Sequence, residues 1–328
     1  MFAITGSTGV VGGKVAERLA GLGLEQRLIV RAPDRAPRLP GAAIFQASSY
    51  KDARAMGRAL KGAETLFLVS ARDRMGIIHE SAEAGLPVPP YDRLQEHIAA
   101  VAAAAAVGVR RIVYLSFLAA TEDATFILAR DHFHTEEYLR SVGVDFTFLR
   151  PSLYMDKVTQ HISRSEVIRA PAGNGRVAWV ARDDLADVAV AVLTGGGHEG
   201  RTYDVTGPEA LTMAETAEKL SAACGKKITY EAQSPHEART HRNTSRMDAM
   251  EARRIALTGK GITDYEVEVW ISHYLQIATG ETDVVSDAVQ TLCGHPATTL
   301  AEYLARTYRL EEMLPLRRSA RPMASDVR

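Results

Sequence analysis

Short apolar runs alternate with helical stretches along the first half of the chain, and this alternation sharply limits the folds it can adopt. Residues typical of strands occupy 2–5, 27–30, 43–46, 65–69, 111–116 and 145–149. Helical patterns lie between them, over 11–22, 52–60, 94–107 and 132–139. Such a pattern predicts an α/β fold of Rossmann type, a doubly wound parallel sheet. Right-handed crossovers bring the C-terminal ends of the strands to one rim, where a ligand is expected to bind.

The second half of the chain departs from this rhythm. It is mostly helical in pattern, with one return to the sheet at 202–205. We therefore predict a large domain over 1–153, completed by a returning segment at 176–208. A smaller, mostly helical C-terminal domain is expected over 154–315.

Three segments look irregular. The stretch 74–93 contains several prolines, and the stretch 235–254 mixes basic and polar residues, so both are interpreted as insertions or mobile loops. The tail 316–328 is expected to be disordered.

Composition narrows the classes of partner and compartment. The formal net charge of -1 provides no positive field for a phosphate backbone, so nucleic acid is a poor candidate partner. No apolar run approaches the ~20 residues that cross a bilayer, and a predicted strand at residue 2 leaves no room for a signal peptide. The two cysteines, Cys224 and Cys293, are far apart, which is typical of a reducing compartment. We expect a cytoplasmic protein without membrane or nucleic-acid partners.

The first predicted strand leads into a glycine-rich turn, GSTGVVG at 6–12, which opens the first helix. Such turns also serve as plain connections, but here the helix N-terminus would direct backbone N–H groups at a pyrophosphate. Gly6 permits the turn, Gly9 lets the backbone approach phosphate and Gly12 allows close helix packing. The turn therefore predicts dinucleotide binding by Gly6, Ser7, Thr8, Gly9, Val10, Val11 and Gly12.

The residues after the second strand bear on cofactor choice. Arg31 stands nineteen residues beyond Gly12, where a site for NAD(H) usually carries an acid, and Arg35 follows. An arginine can bind a 2′-phosphate with a fork of donors, which favours NADP(H) over NAD(H). The alternative is a solvated arginine at a strand end, and Asp34 weakens the charge argument.

Several longer stretches carry a family resemblance: VRAPDRA at 30–36, VYLSFLAA at 113–120, HFHTEEYLRSVGVDFTFLRPSLYMD at 132–156, AGNGRVAWVARDDLADVAVAVLT at 172–194 and YDVTGPEALT at 203–212. Together with the glycine turn, they resemble the NmrA-like family of atypical short-chain dehydrogenase/reductases, and within it the NADPH-dependent quinone reductases. The resemblance implies a Rossmann domain with a small C-terminal domain and NADP(H) in the cleft between them. Further cofactor contacts are expected from Ser49, Tyr50, Ser70, His132 and Pro151.

Typical members of that superfamily use a Tyr and a Lys four residues apart, plus a Ser ending the preceding strand. Here His132 stands at the position resembling the Lys, Leu128 lies four residues earlier, and Ser116 occupies the serine position. We predict His132 and Ser116 as catalytic residues. An unperturbed pKa near ~6.5 would let His132 bind the nicotinamide ribose or donate a proton. A packed helix histidine and a strand-capping serine are the plain alternatives.

The resemblance also places Phe117, Tyr154 and Met155 in the acceptor pocket, although a core role is the alternative for Tyr154 and Met155. Arg72 and Arg74 are candidate contacts for phosphate or an acidic substrate. His132 and His134 diverge on a helix, so no metal site is expected. Asp184 and Asp187 are interpreted as a helix cap and a first-turn acid.

Two functions remain open from the sequence. The first is an oxidoreductase, monomeric or homodimeric, that transfers hydride from NADPH to a quinone-like or other conjugated small molecule. The second is a non-catalytic NAD(P) sensor that regulates a partner protein. The absence of the Tyr–Lys pair is compatible with both.

Overall fold

A seven-stranded parallel sheet forms the centre of the computed structural model, which describes residues 1–71, 92–161, 166–241 and 264–313. The strands of the described residues, in this sheet and in two smaller ones, are β1 (Phe2–Thr5), β2 (Gln26–Val30), β3 (Ala42–Gln46), β4 (Thr65–Val69), β5 (Arg111–Leu115), β6 (Asp145–Pro151), β7 (Val167–Ala170), β8 (Arg176–Val177), β9 (Arg201–Val205), β10 (Leu211–Thr212) and β11 (Thr229–Ala232). The order in the large sheet is β3-β2-β1-β4-β5-β6-β9. The strand order reverses between β1 and β4, which pair in parallel, and the crevice at this position is where such sheets bind dinucleotides.

Helices cover both faces of this sheet. The helices of the described residues, including those outside the sheet layers, are α1 (Val10–Gly21), α2 (Ala53–Leu60), α3 (Arg93–Ala106), α4 (Ile127–Ser141), α5 (Arg182–Thr194), α6 (Met213–Cys224), α7 (Pro235–His241), α8 (Asp264–Ala278), α9 (Ala288–Cys293) and α10 (Leu300–Met313). Short 3₁₀ segments occupy Pro33–Arg35 and Met155–His161.

Successive residues of a strand face opposite layers, and β1 shows this directly. Ile4 packs in a core with α1 and α5, whereas Ala3 packs in a second core with α2 and α3. Ala100 and Ala104 of α3 are fully buried in this second core. Burial of the sheet on both faces explains why its strands are continuous apolar runs.

The C-terminal half packs around a third core. Two small sheets, β7 with β11 and β8 with β10, join α6, α8 and α10 there. Trp179 is the largest fully buried side chain, and its Nε1 donates to Thr216 Oγ1 at 3.1 Å. This core lies beyond the carboxyl end of β6, so the chain crosses from the sheet into it immediately after Pro151.

The predicted strands of the large sheet are confirmed, including the late return of the chain as β9. The two small sheets were not predicted, because their strands are only two to four residues long. The interpretation of 235–254 as a loop is wrong for its first part, which forms α7. The rest of that stretch, 74–91 with Arg74, the neighbouring Arg72, and the tail 316–328 lie outside the described residues. Within the described ranges, no helix is both long and apolar enough to cross a membrane.

Candidate functional site

The glycine turn joins β1 to α1 through a compact set of backbone contacts. Gly6 has a positive φ of 63°, and its carbonyl accepts the Gly9 N–H at 2.9 Å. Gly9 is the N-cap residue of α1 and has no side chain to accept the free N–H groups of the first turn. These N–H groups are therefore available to an anion at the helix N-terminus.

Packing beneath the turn explains the third glycine. A Cβ on Gly12 would lie 2.4 Å from the Gly6 carbonyl oxygen, and a Cβ on Gly9 would lie 3.2 Å from the same atom. Gly12 and Val11 are buried behind the turn. They therefore support the turn from below, whereas Thr8 and Val10 are exposed on its outer side.

A groove of about 350 Å³ opens over this turn, and its lining is Ser7, Thr8, Gly9, Val10, Gly13, Lys14, Glu17, Arg35 and Pro37. Ser7 is only 2% exposed, and its Oγ has no hydrogen-bond partner in the described part of the chain. A buried hydroxyl without a partner is costly unless a ligand supplies one. The unpaired hydroxyl, the uncapped helix and the guanidinium of Arg35 together fit the phosphates of a dinucleotide.

The two arginines predicted for cofactor choice differ in placement. Arg35 is exposed and lines the groove. Arg31 is half-buried directly after β2, and its carbonyl accepts the side-chain amide of Gln46 at 3.2 Å. Arg31 does not line the groove over the turn, so the structure brings Arg35 closest to the predicted phosphate site.

Ser49 and Tyr50 follow β3 and are bound by protein partners. The Ser49 hydroxyl donates to Glu96 Oε1 at 2.7 Å, and the Tyr50 N–H donates to Glu96 Oε2 at 2.7 Å. The Tyr50 hydroxyl donates to the carbonyl of Val69 at 3.0 Å, at the end of β4. In this structure both residues tie the β3 loop to α3 and β4, and their predicted contact with a cofactor stays a prediction.

His132 lies in a buried polar cluster behind the ends of β4 and β5. Its Nε2 is 2.6 Å from Nη2 of Arg93, and its Nδ1 is 2.8 Å from the hydroxyl of Tyr114. Because arginine only donates, Nε2 must accept and the proton must sit on Nδ1. His132 is therefore a neutral imidazole that donates to Tyr114.

Burial lowers the pKa of His132 well below its usual value, and the charge of Arg93 lowers it further. The assumption of an unperturbed pKa near ~6.5 is therefore wrong for this residue. The sequence could not show this, because Arg93 and Tyr114 are far from His132 along the chain.

Ser116 follows β5, as predicted, and is buried. Its Oγ donates to Glu136 Oε1 at 2.6 Å, and Glu136 also accepts from Arg150 Nη2 at 2.6 Å. The Glu136 carboxylate is fully buried and compensated by this arginine. The hydroxyl of Ser116 is thus committed to a structural contact, and its catalytic role stays a prediction.

The loop after Ser116 carries an aromatic side chain over the cluster. The ring of Phe117 stacks on that of His132, with centroids 6.0 Å apart and planes 25° apart. The carbonyl of Pro151 accepts the N–H of Leu118 at 3.0 Å, which ties this loop to β6. The predicted residues Ser116, Phe117, His132 and Pro151 therefore lie together at the ends of β5 and β6.

Tyr154 and Met155 differ in their surroundings. Met155 is 1% exposed in the third core, which favours the alternative of a core role, and its expected position in an acceptor pocket stays a prediction. The ring of Tyr154 is half-buried, with the guanidinium carbon of Arg182 4.3 Å from its centroid. Burial raises the pKa of Tyr154 to about 12.

The acids of α5 have structural partners. Ala181 is the N-cap residue, so the interpretation of Asp184 as the cap is wrong. The Asp184 carboxylate instead accepts the N–H and the hydroxyl of Thr298, at 2.7 and 2.9 Å. Asp187 binds Arg18 of α1 at 2.6 Å. Across the described ranges, no group of three His, Cys, Asp or Glu residues is arranged to hold a metal ion.

Sequence reasoning missed the residues that hold this rim together, namely Arg93, Glu96, His97, Tyr114 and Glu136. One signal was available in α3, where charged and imidazole side chains interrupt an alanine-rich helix at 93, 96 and 97. A polar residue on the buried face of such a helix needs a partner, which marks it as a member of a network.

The strand order and the glycine turn at its reversal define a dinucleotide-binding protein of the Rossmann class. A family model described as NAD(P)H-binding matches residues 6–195. The chain belongs to this NAD(P)H-binding family.

Curated relatives span nearly the whole chain. The (4-alkanoyl-5-oxo-2,5-dihydrofuran-3-yl)methyl phosphate reductase of Streptomyces griseus is 36% identical over 310 residues, which cover 93% of this chain and 97% of the relative. Quinone oxidoreductase 2 of Escherichia coli is 31% identical over 314 residues, which cover 94% and 99%. A crystal structure of the E. coli NADPH-dependent quinone oxidoreductase with NADPH matches with a TM-score of 0.76 and 28% identity, covering 94% of this chain and 100% of that chain.

Proposed function

We propose that the protein is an NADPH-dependent oxidoreductase that reduces a conjugated carbonyl compound such as a quinone. The observation that carries this proposal is the groove over the glycine turn, where the unpaired Ser7 hydroxyl and Arg35 face the uncapped start of α1. The bound dinucleotide would supply a hydride, and the protein would position the cofactor for its transfer.

The preference for NADPH is argued from charge. Arg35 lines the groove and Arg31 directly follows β2, and at either residue a 2′-phosphate would meet a fork of donors. Glu17 also lines the groove, but it stands on α1 and not at the strand end that selects the ribose substituent.

The class of acceptor follows from the protonation of the rim. His132 holds its proton on Nδ1 toward Tyr114, and Ser116 directs its proton to Glu136. With both protons committed, the rim favours an acceptor whose product anion is delocalised and takes its proton from water. The relatives support this class, because their names describe reduction of a quinone and of an oxo-dihydrofuran with an alkanoyl group, both conjugated carbonyl compounds.

The same commitment of His132 and Ser116 favours a second candidate, a sensor that binds NAD(P) without turnover. The reductase is preferred because full-length relatives are named reductases or oxidoreductases. We further propose that 1–153 with 176–208 binds the cofactor and that 154–315 covers the acceptor. With two free cysteines, Cys224 and Cys293, the cytoplasm is the proposed compartment.

The test combines binding with turnover. Purified protein is titrated with NADPH and NADH, and NADPH absorbance is then followed with a simple benzoquinone and with an unsaturated lactone. The proposal expects tighter binding of NADPH and oxidation of NADPH by at least one acceptor. Tight binding with no oxidation by either acceptor would favour the sensor.

A further inference from the structure

A pair of side chains on α3 holds the backbone immediately after β4. The N–H of Ala71 donates to Nε2 of His97 at 2.8 Å, and the carbonyl of Ala71 accepts from Nε of Arg93 at 2.9 Å. Arg93 and His97 are four residues apart and so lie on one face of the helix. Both backbone polar groups of a single rim residue are thus bound by one helix.

The protonation of His97 is set by its other partners. Nε2 accepts from Ala71, so the proton must be on Nδ1, which lies 2.9 Å from Thr135 Oγ1. The Thr135 hydroxyl in turn donates to the carbonyl of Asp131 at 2.6 Å. His97 is fully buried, and burial lowers its pKa well below the usual value. The ring is therefore a fixed, neutral acceptor for the Ala71 N–H.

Arg93 extends the same arrangement to His132. Its Nη2 binds His132 Nε2 at 2.6 Å, while Nη1 binds the Leu128 carbonyl at 3.1 Å and Asp131 at 3.2 Å. The β4 rim and the face of α4 that carries His132 are therefore held in one register by a single guanidinium.

The location of Ala71 gives this arrangement a function. In a doubly wound sheet, the β1–β3 half with its glycine turn takes the adenosine end of a dinucleotide, and the half from β4 to β6 takes the other end. Ala71 lies two residues beyond β4, at the edge of this second half. An apolar side chain would cost less to bury than an imidazole, but it would leave the Ala71 N–H without this acceptor, so the imidazole at position 97 serves the backbone of this rim residue.

We propose that His97 and Arg93 are positioning residues, which clamp the backbone of Ala71 and so set where the nicotinamide end of the cofactor lies. This inference rests on the proposed cofactor binding. It adds that α3 positions the nicotinamide end of the cofactor, whereas the glycine turn binds its phosphates.

The test uses two substitutions that mimic different halves of the imidazole. In His97→Gln, the amide oxygen can take the place of Nε2 and accept from Ala71. In His97→Asn, the shorter amide can keep the Thr135 contact but does not reach Ala71. Both variants bury a neutral amide, so they are matched in desolvation.

Three measurements separate the clamp from a general loss of structure. In cofactor-free protein labelled with ¹⁵N-alanine, NMR hydrogen exchange at the Ala71 amide should be roughly ten-fold faster in His97→Asn, as expected for loss of one buried hydrogen bond. NADPH affinity should fall in this variant, while affinity for 2′,5′-ADP, which lacks nicotinamide, stays unchanged. With a quinone, kcat should fall roughly ten- to hundred-fold from misplacement of the reacting ring.

His97→Gln should stay near the wild type in all three measurements. Equal behaviour of the two variants, or an equal loss of NADPH and 2′,5′-ADP binding in His97→Asn, would overturn the clamp. If His97→Asn does not fold, the isosteric Thr135→Val variant, which removes the nearer of the two hydroxyls beside His97 Nδ1 and leaves that of Tyr114 at 3.3 Å, should show the same pattern with smaller changes. If the wild type binds no NADPH, the proposed function fails, whereas the Ala71 exchange comparison still decides whether the clamp exists.

Discussion

Substitution of Gly12 by alanine tests the glycine turn most directly. The added methyl would lie 2.4 Å from the carbonyl oxygen of Gly6, 2.6 Å from its carbonyl carbon and 3.0 Å from the Ser7 nitrogen. All three are backbone atoms, so no side chain can rotate away to make room. The turn or the start of α1 must move by roughly 1 Å to restore an ordinary contact distance of about 3.5 Å.

The size of the effect follows from two opposing contributions. Overpacking of this kind costs about 1–3 kcal/mol, whereas alanine gains about 1 kcal/mol over glycine within a helix. We therefore expect Gly12→Ala to lose up to about 2 kcal/mol of stability. Displacement of the turn also breaks a charge-assisted hydrogen bond to phosphate, worth about 1.5–3 kcal/mol, so NADPH affinity should fall roughly ten- to hundred-fold.

Gly21→Ala is the matched control in the same helix. Gly21 is exposed at the end of α1, and a Cβ there meets nothing within 4 Å. This variant should gain up to about 1 kcal/mol in stability and bind NADPH as the wild type does. The assays are thermal unfolding without cofactor and NADPH fluorescence titration. A Gly12→Ala protein with wild-type affinity would show that the turn is only a connection.

Three further predictions concern charge and protonation. Arg35→Ala should weaken NADPH binding roughly ten-fold or more and NADH binding little, as measured by paired titrations, and equal losses would refute the assignment to the 2′-phosphate. His132→Ala, compared at matched cofactor saturation, should reduce quinone turnover by well under ~10³-fold, because a larger loss would identify an essential acid. The free energy of unfolding should fall as pH drops below about 6.5, by up to about 1.4 kcal/mol per pH unit for each of His97 and His132. The sign follows because unfolded imidazoles take up protons there while the native rings, whose pKa values are lowered, stay neutral; a urea-unfolding series with flat stability from pH 7 to 5.5 would contradict it.

The large sheet could be predicted because its strands carry a local signal. A strand buried on both faces must be apolar throughout, as Leu66 to Leu68 of β4 show. The glycine turn after β1 marks the position where the strand order reverses. The short strands β8 and β10 have no such signal, since each consists of two residues that pair with a strand more than thirty residues away in the sequence. The helix at 235–241 was missed because its polar composition is also typical of a loop.

The sequence could indicate where the candidate site residues lie but not their protonation, and their roles stay predictions. His132 and Ser116 do lie together at the rim, because their positions follow from strand order. Their protons could not be assigned, because Arg93 and Glu136 reach them only through the folded packing of α3 and α4. Whether Met155 lines a pocket or packs in a core stayed open for a similar reason, since the third core also contains residues of α6, α8 and α10, which lie more than fifty residues away in the sequence.

The protonation of His132 and the missing Tyr–Lys pair lead to the same conclusion about the chemistry. An imidazole that accepts from a guanidinium through Nε2 can gain a proton there only by breaking that contact and placing two cations together in a buried site. Arg93 therefore prevents His132 from acting as an acid near neutral pH. The same guanidinium holds the Ala71 carbonyl, so removing it to free His132 would also release the rim. At this rim His132 is held in position but cannot donate a proton. Such an arrangement suits an acceptor that needs alignment with the cofactor more than acid catalysis.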